Sequence, residues 1–389
     1  TCMTSNVGIK NAKTKAWVTN WPDERSSALS LTFDDGYASH HAYLYPVLKE
    51  FGLKATFFVV PGWLDDPSTS KYASRIGTWR EFEQMAGDGF EIGSHGMTHV
   101  KLTRLMQGAE NRAGTLLHEL AESKRVIERH IPTQPCSAIA YPYSLHNRTV
   151  SHHAARYYIA ARGIGNPFIL VTGAIIDLME RRSEKGWRGN RPVSCFNRWY
   201  LTRRNEIIQR QQAFFQKQGR VLKSTLLERF ASNIETRAFG RGVWSVFVQH
   251  EVIPFDETRK VDTFSPYPIE WFKPFAKWLA EQVKIRAVWV DTVSNVMKYL
   301  KERDTFNYRV LREGKDRIEL EIHHGLDAST YNYPLTIDVL VPDTWKHVDI
   351  VAEERHERLE CKETWKYDGA TYVRFNAIPT GQTLILDGS

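Results

Sequence analysis

Cysteine is scarce in this chain, with 4 residues in 389. That is too few for a disulfide scaffold. Cys136 and Cys195 would pair in an oxidising compartment, and two buried free thiols are an equally good reading. No apolar run approaches the ~20 residues that a helical membrane span needs. There is no internal repeat and no low-complexity tract. With 42% apolar and 25% charged residues, wholesale disorder and collagen-like or coiled-coil chains are excluded. A G-x-S-x-G nucleophile elbow is missing, and Ser94 sits instead in Gly-Ser-His-Gly, which argues against a serine hydrolase. Asp+Glu, at 45, fall short of Lys+Arg, at 52, for a formal charge of +7. That balance suits an acidic glycan, a membrane surface or nothing in particular, and no nucleic-acid-binding motif accompanies it. Neither an initiator Met nor a charged-then-apolar leader stands at Thr1-Cys2. The expectation is a processed or trimmed form of an exported protein, whether periplasmic, cell-surface or secreted.

What is present is mostly strand-then-helix alternation. Short apolar strand candidates are 28–33, 54–60, 90–93, 137–141, 157–161, 243–249 and 287–290. Helical periodicity lies between most of them, as in Leu116, Leu117, Leu120 and Ile127, or Trp271, Phe275, Trp278 and Leu279. This pattern predicts an α/β fold, a distorted (β/α)7-type barrel over residues 1–304. The stretch from about 165 to 242 reads as a basic helical insertion, with 9 Lys/Arg against 3 Glu over 201–241. A solvated charged helical face is its simplest account. From 305 to 389 short alternating segments (317–322, 335–341, 348–351, 371–375, 382–386) are separated by turn formers such as Asp368-Gly369. They predict a small C-terminal antiparallel β-sandwich domain, for which covering the barrel is a better expectation than binding carbohydrate.

Four motifs carry chemistry. In Leu31-Thr32-Phe33-Asp34-Asp35-Gly36 a β-rich run ends in two adjacent carboxylates. Neighbouring strand side chains point to opposite sides, so the two can take different jobs; alone, an Asp-Asp-Gly turn is the plainer reading. In Gly93-Ser94-His95-Gly96-Met97-Thr98-His99 two histidines stand four apart. The glycines oppose a helix, so the pair sits on a loop after a strand, where chance spacing competes with metal ligation. With Asp35 it would make an N,N,O site with positions left for water. Ala140-Tyr141-Pro142-Tyr143 ends a third strand, where the Tyr143 N–H can donate. Val246-Phe247-Val248-Gln249-His250 delivers a histidine at a fourth strand end, where such residues are usually structural. All four follow predicted strands, whose C-terminal ends form the active-site face of α/β barrels. Aromatic residues are frequent, with 12 Trp and 16 Tyr; most are core, and Trp63, Trp79 and Trp187 are the candidates for a glycan groove.

With these residues assembled, the chain resembles the polysaccharide deacetylases, the family 4 carbohydrate esterases that share the NodB-homology domain. T-F-D-D-G stands at Thr32–Gly36, followed by Pro46-Val47-Leu48 and Lys54-Ala55-Thr56-Phe57-Phe58-Val59. Trp79 to Leu105 is a second long match. The resemblance covers roughly residues 15–300 and loosens after about 165. It implies that Asp35, His95 and His99 hold a divalent metal, Zn²⁺ first with Co²⁺, Ni²⁺ or Mn²⁺ as alternatives. It further implies Asp34 as general base, His250 as general acid and the Tyr143 N–H as an oxyanion donor. Metal-bound water would then attack the acetyl carbonyl of an N- or O-acetylated polysaccharide or oligosaccharide.

Two departures stand out. The family's third motif carries Arg two residues before its Pro, where this chain has Ala140; Arg162, after the next strand, is the expected replacement that braces Asp34. No Asp-Trp motif precedes His250, and Asp291 at a later strand end is the candidate to orient it. The competing expectation is a non-catalytic carbohydrate-binding relative that keeps the fold.

Overall fold

The computed structural model describes residues 13–163, 170–171, 244–258, 261 and 266–389. They divide into two compact units, one of residues 26–296 and one of residues up to 25 together with 297–389. The division falls inside a helix rather than at 304, and it moves the N-terminal residues out of the barrel. The reason is pairing. Strand β1 (Ala16–Val18) hydrogen-bonds antiparallel to a strand of the C-terminal unit, Ala16 opposite Val339 and Val18 opposite Ile337.

The larger unit holds β2 (Ala28–Asp34), β3 (Ala55–Val59), β4 (Glu91–Ser94), β5 (Ala138–Ala140), β6 (Ala160–Arg162), β7 (Leu170–Val171), β8 (Trp244–Gln249), β9 (Val252–Ile253), β10 (Tyr267–Pro268) and β11 (Trp289–Val290). Strands β2 to β6 pair in sequence order, all parallel. β8 and β11 both pair parallel with β2, and β7 adds antiparallel to β6. Among the described residues no ladder joins β6 or β7 to β8. β2 and β3 are buried along their whole lengths, as expected for parallel strands covered on both faces.

The connecting helices include α1 (Tyr45–Glu50), α2 (Pro61–Asp65), α3 (Trp79–Gly87), α4 (Leu116–His130), α5 (Arg148–Ala154) and α6 (Ile269–Lys284). α3 starts with a capping box in which Thr78 and Glu81 bond each other's backbone N–H groups. α4 buries Leu116, Leu117, Leu120, Val126 and Ile127 on one face, the 3.6-residue pattern visible in the sequence.

In the smaller unit, strands at 306–313, 317–324, 335–341, 348–352, 357–359, 361–367, 370–377 and 380–388 form antiparallel sheets of five and, with β1, four strands. Alternation is clean where it was predicted: Ile318, Leu320 and Ile322 are buried between half-buried or exposed neighbours. The strand at 306–313 escaped prediction because it follows helix α7 (Val293–Thr305) with no turn residue between them.

The expected helical insertion lies almost wholly outside the described residues, as do Cys195 and Trp187. Cys136 is a buried thiol whose pKa burial pushes up, and an inert core side chain is what that environment makes. No helix among the described residues is long and apolar enough to cross a membrane.

Candidate active site

Every strand-end motif opens on the same side of the sheet. Asp34, Asp35, His95, His99, Tyr143 and His250 line one cleft of about 470 Å³, with Trp63, Thr69, Lys71, Tyr72, Thr98 and Val100.

The local backbone explains how. Asp34 ends β2, and Asp35 then takes φ +80°, a left-handed conformation that costs a non-glycine residue energy and is found preferentially at functional sites. The chain so turns that neighbouring carboxylates face one space. After β4, Gly96 adopts φ +77° where an added Cβ would press on Pro142 and the Glu119 carboxylate at 3.3 and 3.4 Å. Glu119 on α4 accepts hydrogen bonds from the Thr98 N–H (3.0 Å) and hydroxyl (2.6 Å), which moulds the loop carrying His95 and His99. Tyr143 follows Pro142 in a tight turn with φ +55°, half exposed at 52%.

Asp35 Oδ1 lies 3.5 Å from His95 Nε2 and 3.5 Å from His99 Nε2. Two donors bound to one tetrahedral ion at ~2.1 Å stand about 3.4 Å apart, so this spacing fits a shared metal. The tautomer fits as well. His95 Nδ1 is 2.7 Å from the Ala140 carbonyl oxygen, so it carries the proton and leaves Nε2 as the donor atom. Burial lowers the pKa of His95 to about 4 and that of His99 to about 3, keeping both imidazoles in the neutral form that ligates. Among the described residues Asp35, His95 and His99 are the group of three whose ligand atoms converge to within 4.8 Å.

Asp34 is 1% exposed and sits beside this group, its Oδ2 4.0 Å from His95 Nε2 and 3.9 Å from His250 Nε2. Its Oδ1 accepts a hydrogen bond from Arg162 Nη2. Arg162 ends β6 at the register position opposite Ala140 on β5, so its guanidinium enters the site from the strand next to the one expected in the family pattern. Its planar head lies 5.2 Å from the Phe58 ring centroid.

Other expectations fare differently. Trp63 lines the cleft and its ring is 4.9 Å from that of His99. Trp79 stacks on His130 at 4.2 Å and donates to Asp65, an arrangement that occupies its face. Asp291 accepts hydrogen bonds from the Thr292 N–H and the Asn295 amide, as a cap at the start of α7. Sequence reasoning missed Glu119, the wall from Thr69 to Tyr72, and the pairing of partly exposed Arg75 with buried Glu251 (2.6 Å) next to His250. An acidic residue inside an amphipathic helix and an Arg in a loop carry no local signal of this kind.

Residues 22–161 match the family profile of the polysaccharide deacetylases. That match places a polysaccharide deacetylase domain in this part of the chain. The chain is 26% identical over 374 residues to a gellan lyase from a Bacillus species, covering 94% of this chain and 13% of that protein. It is 30% identical over 122 residues to YxkH of Bacillus subtilis strain 168, whose name assigns it to the polysaccharide deacetylases, covering 30% of this chain and 37% of that one. It thus spans well under half the length of these curated relatives. Solved structures resembling it include the deacetylase PplD of Streptococcus pyogenes in complex with acetate, at 25% identity over 35% of this chain and 56% of that one with a TM-score of 0.30. The peptidoglycan deacetylase PdaC of Bacillus subtilis matches at 17% identity over 72% of this chain and 94% of that one, with a TM-score of 0.39.

Proposed function

We propose that the deacetylase domain is a metal-dependent hydrolase that removes acetyl groups from a polysaccharide or oligosaccharide outside the cell. The observation that carries this reading is the convergence of Asp35, His95 and His99 next to a second carboxylate, Asp34, in an open cleft. Asp35 and the two Nε2 atoms would hold a divalent cation, Zn²⁺ being the natural occupant of an N,N,O donor set with open positions. When bound, such an ion polarises the acyl carbonyl and makes a hydroxide nucleophile available near neutral pH.

The chain's own groups do the rest. Asp34, oriented by the hydrogen bond from Arg162, takes the proton of the attacking water. The Tyr143 N–H donates to the developing oxyanion, a contribution worth several kcal/mol when preorganised. His250 in its protonated form donates to the leaving amine or sugar oxygen, so acetate and the free sugar depart. Trp63 offers an apolar wall for the sugar ring.

The test is acetate release from a panel of N- and O-acetylated glycans, before and after chelation, with His95→Ala alongside. The expected outcome is release that needs metal and disappears with His95→Ala together with bound metal. Undiminished release from metal-free His95→Ala protein would refute the proposal. A glycan that binds the metal-loaded protein without releasing acetate would instead mark a non-catalytic carbohydrate-binding relative.

A further inference from the structure

His250 approaches Asp34 from a segment that has to be held in place, and the structure contains an unusual device for doing so. His40 opens a π-helical turn, His40–Leu44, directly after the Asp-Asp-Gly motif. Such wide turns are rare and concentrate at functional positions. The His40 side chain is fully buried and ringed by Phe33, Tyr37, Phe57 and Phe82, with ring centroids 5.3 to 6.5 Å away. Its Nε2 is 2.8 Å from the backbone carbonyl oxygen of His250, while its Nδ1 has no hydrogen-bond partner. Since a carbonyl only accepts, Nε2 carries the proton and donates. Burial lowers the His40 pKa to about 4, which keeps this single-donor form through the neutral range.

An imidazole in an aromatic cage with one nitrogen unsatisfied is a costly choice where Leu or Phe would pack. What it provides is one specific bond to the residue placed beside Asp34. The neighbouring residue is fixed too: the Glu251 carboxylate is held by Arg75 at 2.6 Å, and its carbonyl accepts from the Tyr267 N–H at 2.9 Å. The His250 imidazole therefore swings from a backbone pinned at two successive peptide groups.

We propose that His40 is a positioning residue, which by donating its Nε2–H to the His250 carbonyl sets the reach of the His250 imidazole to Asp34. This rests on the reading above, in which His250 is the proton donor. The imidazole-to-carboxylate separation is 3.9 Å, and a displacement of about 1 Å at a reacting group can cost on the order of 100-fold in rate.

The test compares His40→Gln, whose amide nitrogen falls close to the position of Nε2, with His40→Met, which fills the space without a donor. Both are made in the full metal-loaded chain. His40→Met is expected to lower kcat by about 10- to 100-fold with KM and bound metal unchanged, and His40→Gln to restore most of it. A second readout needs no substrate. Of the three His-Glu pairs seen under His-¹³C/Glu-¹⁵N labelling, His118-Glu119, His250-Glu251 and His356-Glu357, the His250 carbonyl ¹³C resonance is the one lost in His250→Gln, and it should move in His40→Met and stay in His40→Gln. Should His40→Met fail to fold, His40→Asn replaces it, since its shorter amide stops near Nδ1. Equal kcat in the Gln and Met variants, or a carbonyl resonance indifferent to both, overturns the proposal. Absence of acetate release from the wild-type protein would instead sink the hydrolase reading, and the carbonyl resonance would still judge the positioning bond.

Discussion

Replacing Arg162 by Met is the most searching single perturbation of this site. The side chain is 6% exposed and its partner Asp34 1%, so the pair is buried on both sides. Met keeps the length and the contact with Phe58 and removes the charge and the donor. Removing one member of a buried ion pair leaves an uncompensated charge and costs roughly 3–5 kcal/mol. For a unit of this size each kcal/mol lowers Tm by about 2–4 °C, so a fall of about 6–20 °C is expected. The metal ligands are untouched, so metal content should stay at the wild-type level. Turnover should collapse, because Asp34 loses the group that orients it as a base. Calorimetry, elemental analysis and acetate release on one preparation separate these three effects. Arg162→Lys should fall between wild type and Arg162→Met, since the ammonium retains charge without the planar head. Wild-type Tm and turnover in Arg162→Met would show that Asp34 is held by other groups and that the strand-to-strand replacement of the family's Arg is only apparent.

His40 and His95 are buried and His99 largely so, and desolvation lowers their pKa values from 6.5 to about 4, 4 and 3. The unfolded chain therefore binds more protons than the metal-free folded one below about pH 6.5. Stability is fully present above that value and falls as the pH drops towards 4, by about 1.4 kcal/mol per pH unit for each histidine. Urea unfolding of metal-free protein at pH 7 and pH 5 measures this, and a midpoint unmoved by pH would contradict it. Glu119→Gln should weaken metal binding by about 10- to 100-fold, as loss of groups supporting metal ligands commonly does, and a competing chelator reads the change; an unchanged affinity would show that the His95–His99 loop holds its own shape.

Much of this protein can be read from its sequence. The apolar runs at 28–33, 54–60 and 243–249 became buried parallel strands because parallel sheets covered on both faces need near-continuous hydrophobic residues. Asp34, Asp35, His95 and His99 could be named in advance because the glycines around them mark turns at strand ends and the residue types restrict the chemistry. Tertiary structure alone decided the rest. The β1 strand joins the C-terminal unit by pairing Ala16 with Val339, 323 residues on, and Val18 with Ile337, and nothing local distinguishes it from a barrel strand. Arg162 could be named as the expected brace, but its bond to Asp34 depends on β6 lying beside β5, a matter of sheet order and not of motif spacing. The His40 bond to His250 spans 210 positions. Local sequence sets which backbone shapes and which chemical groups are available; which groups meet is settled by the packing of strands far apart in the chain, because side-chain contact falls off within a few ångströms in space and carries no record in sequence distance.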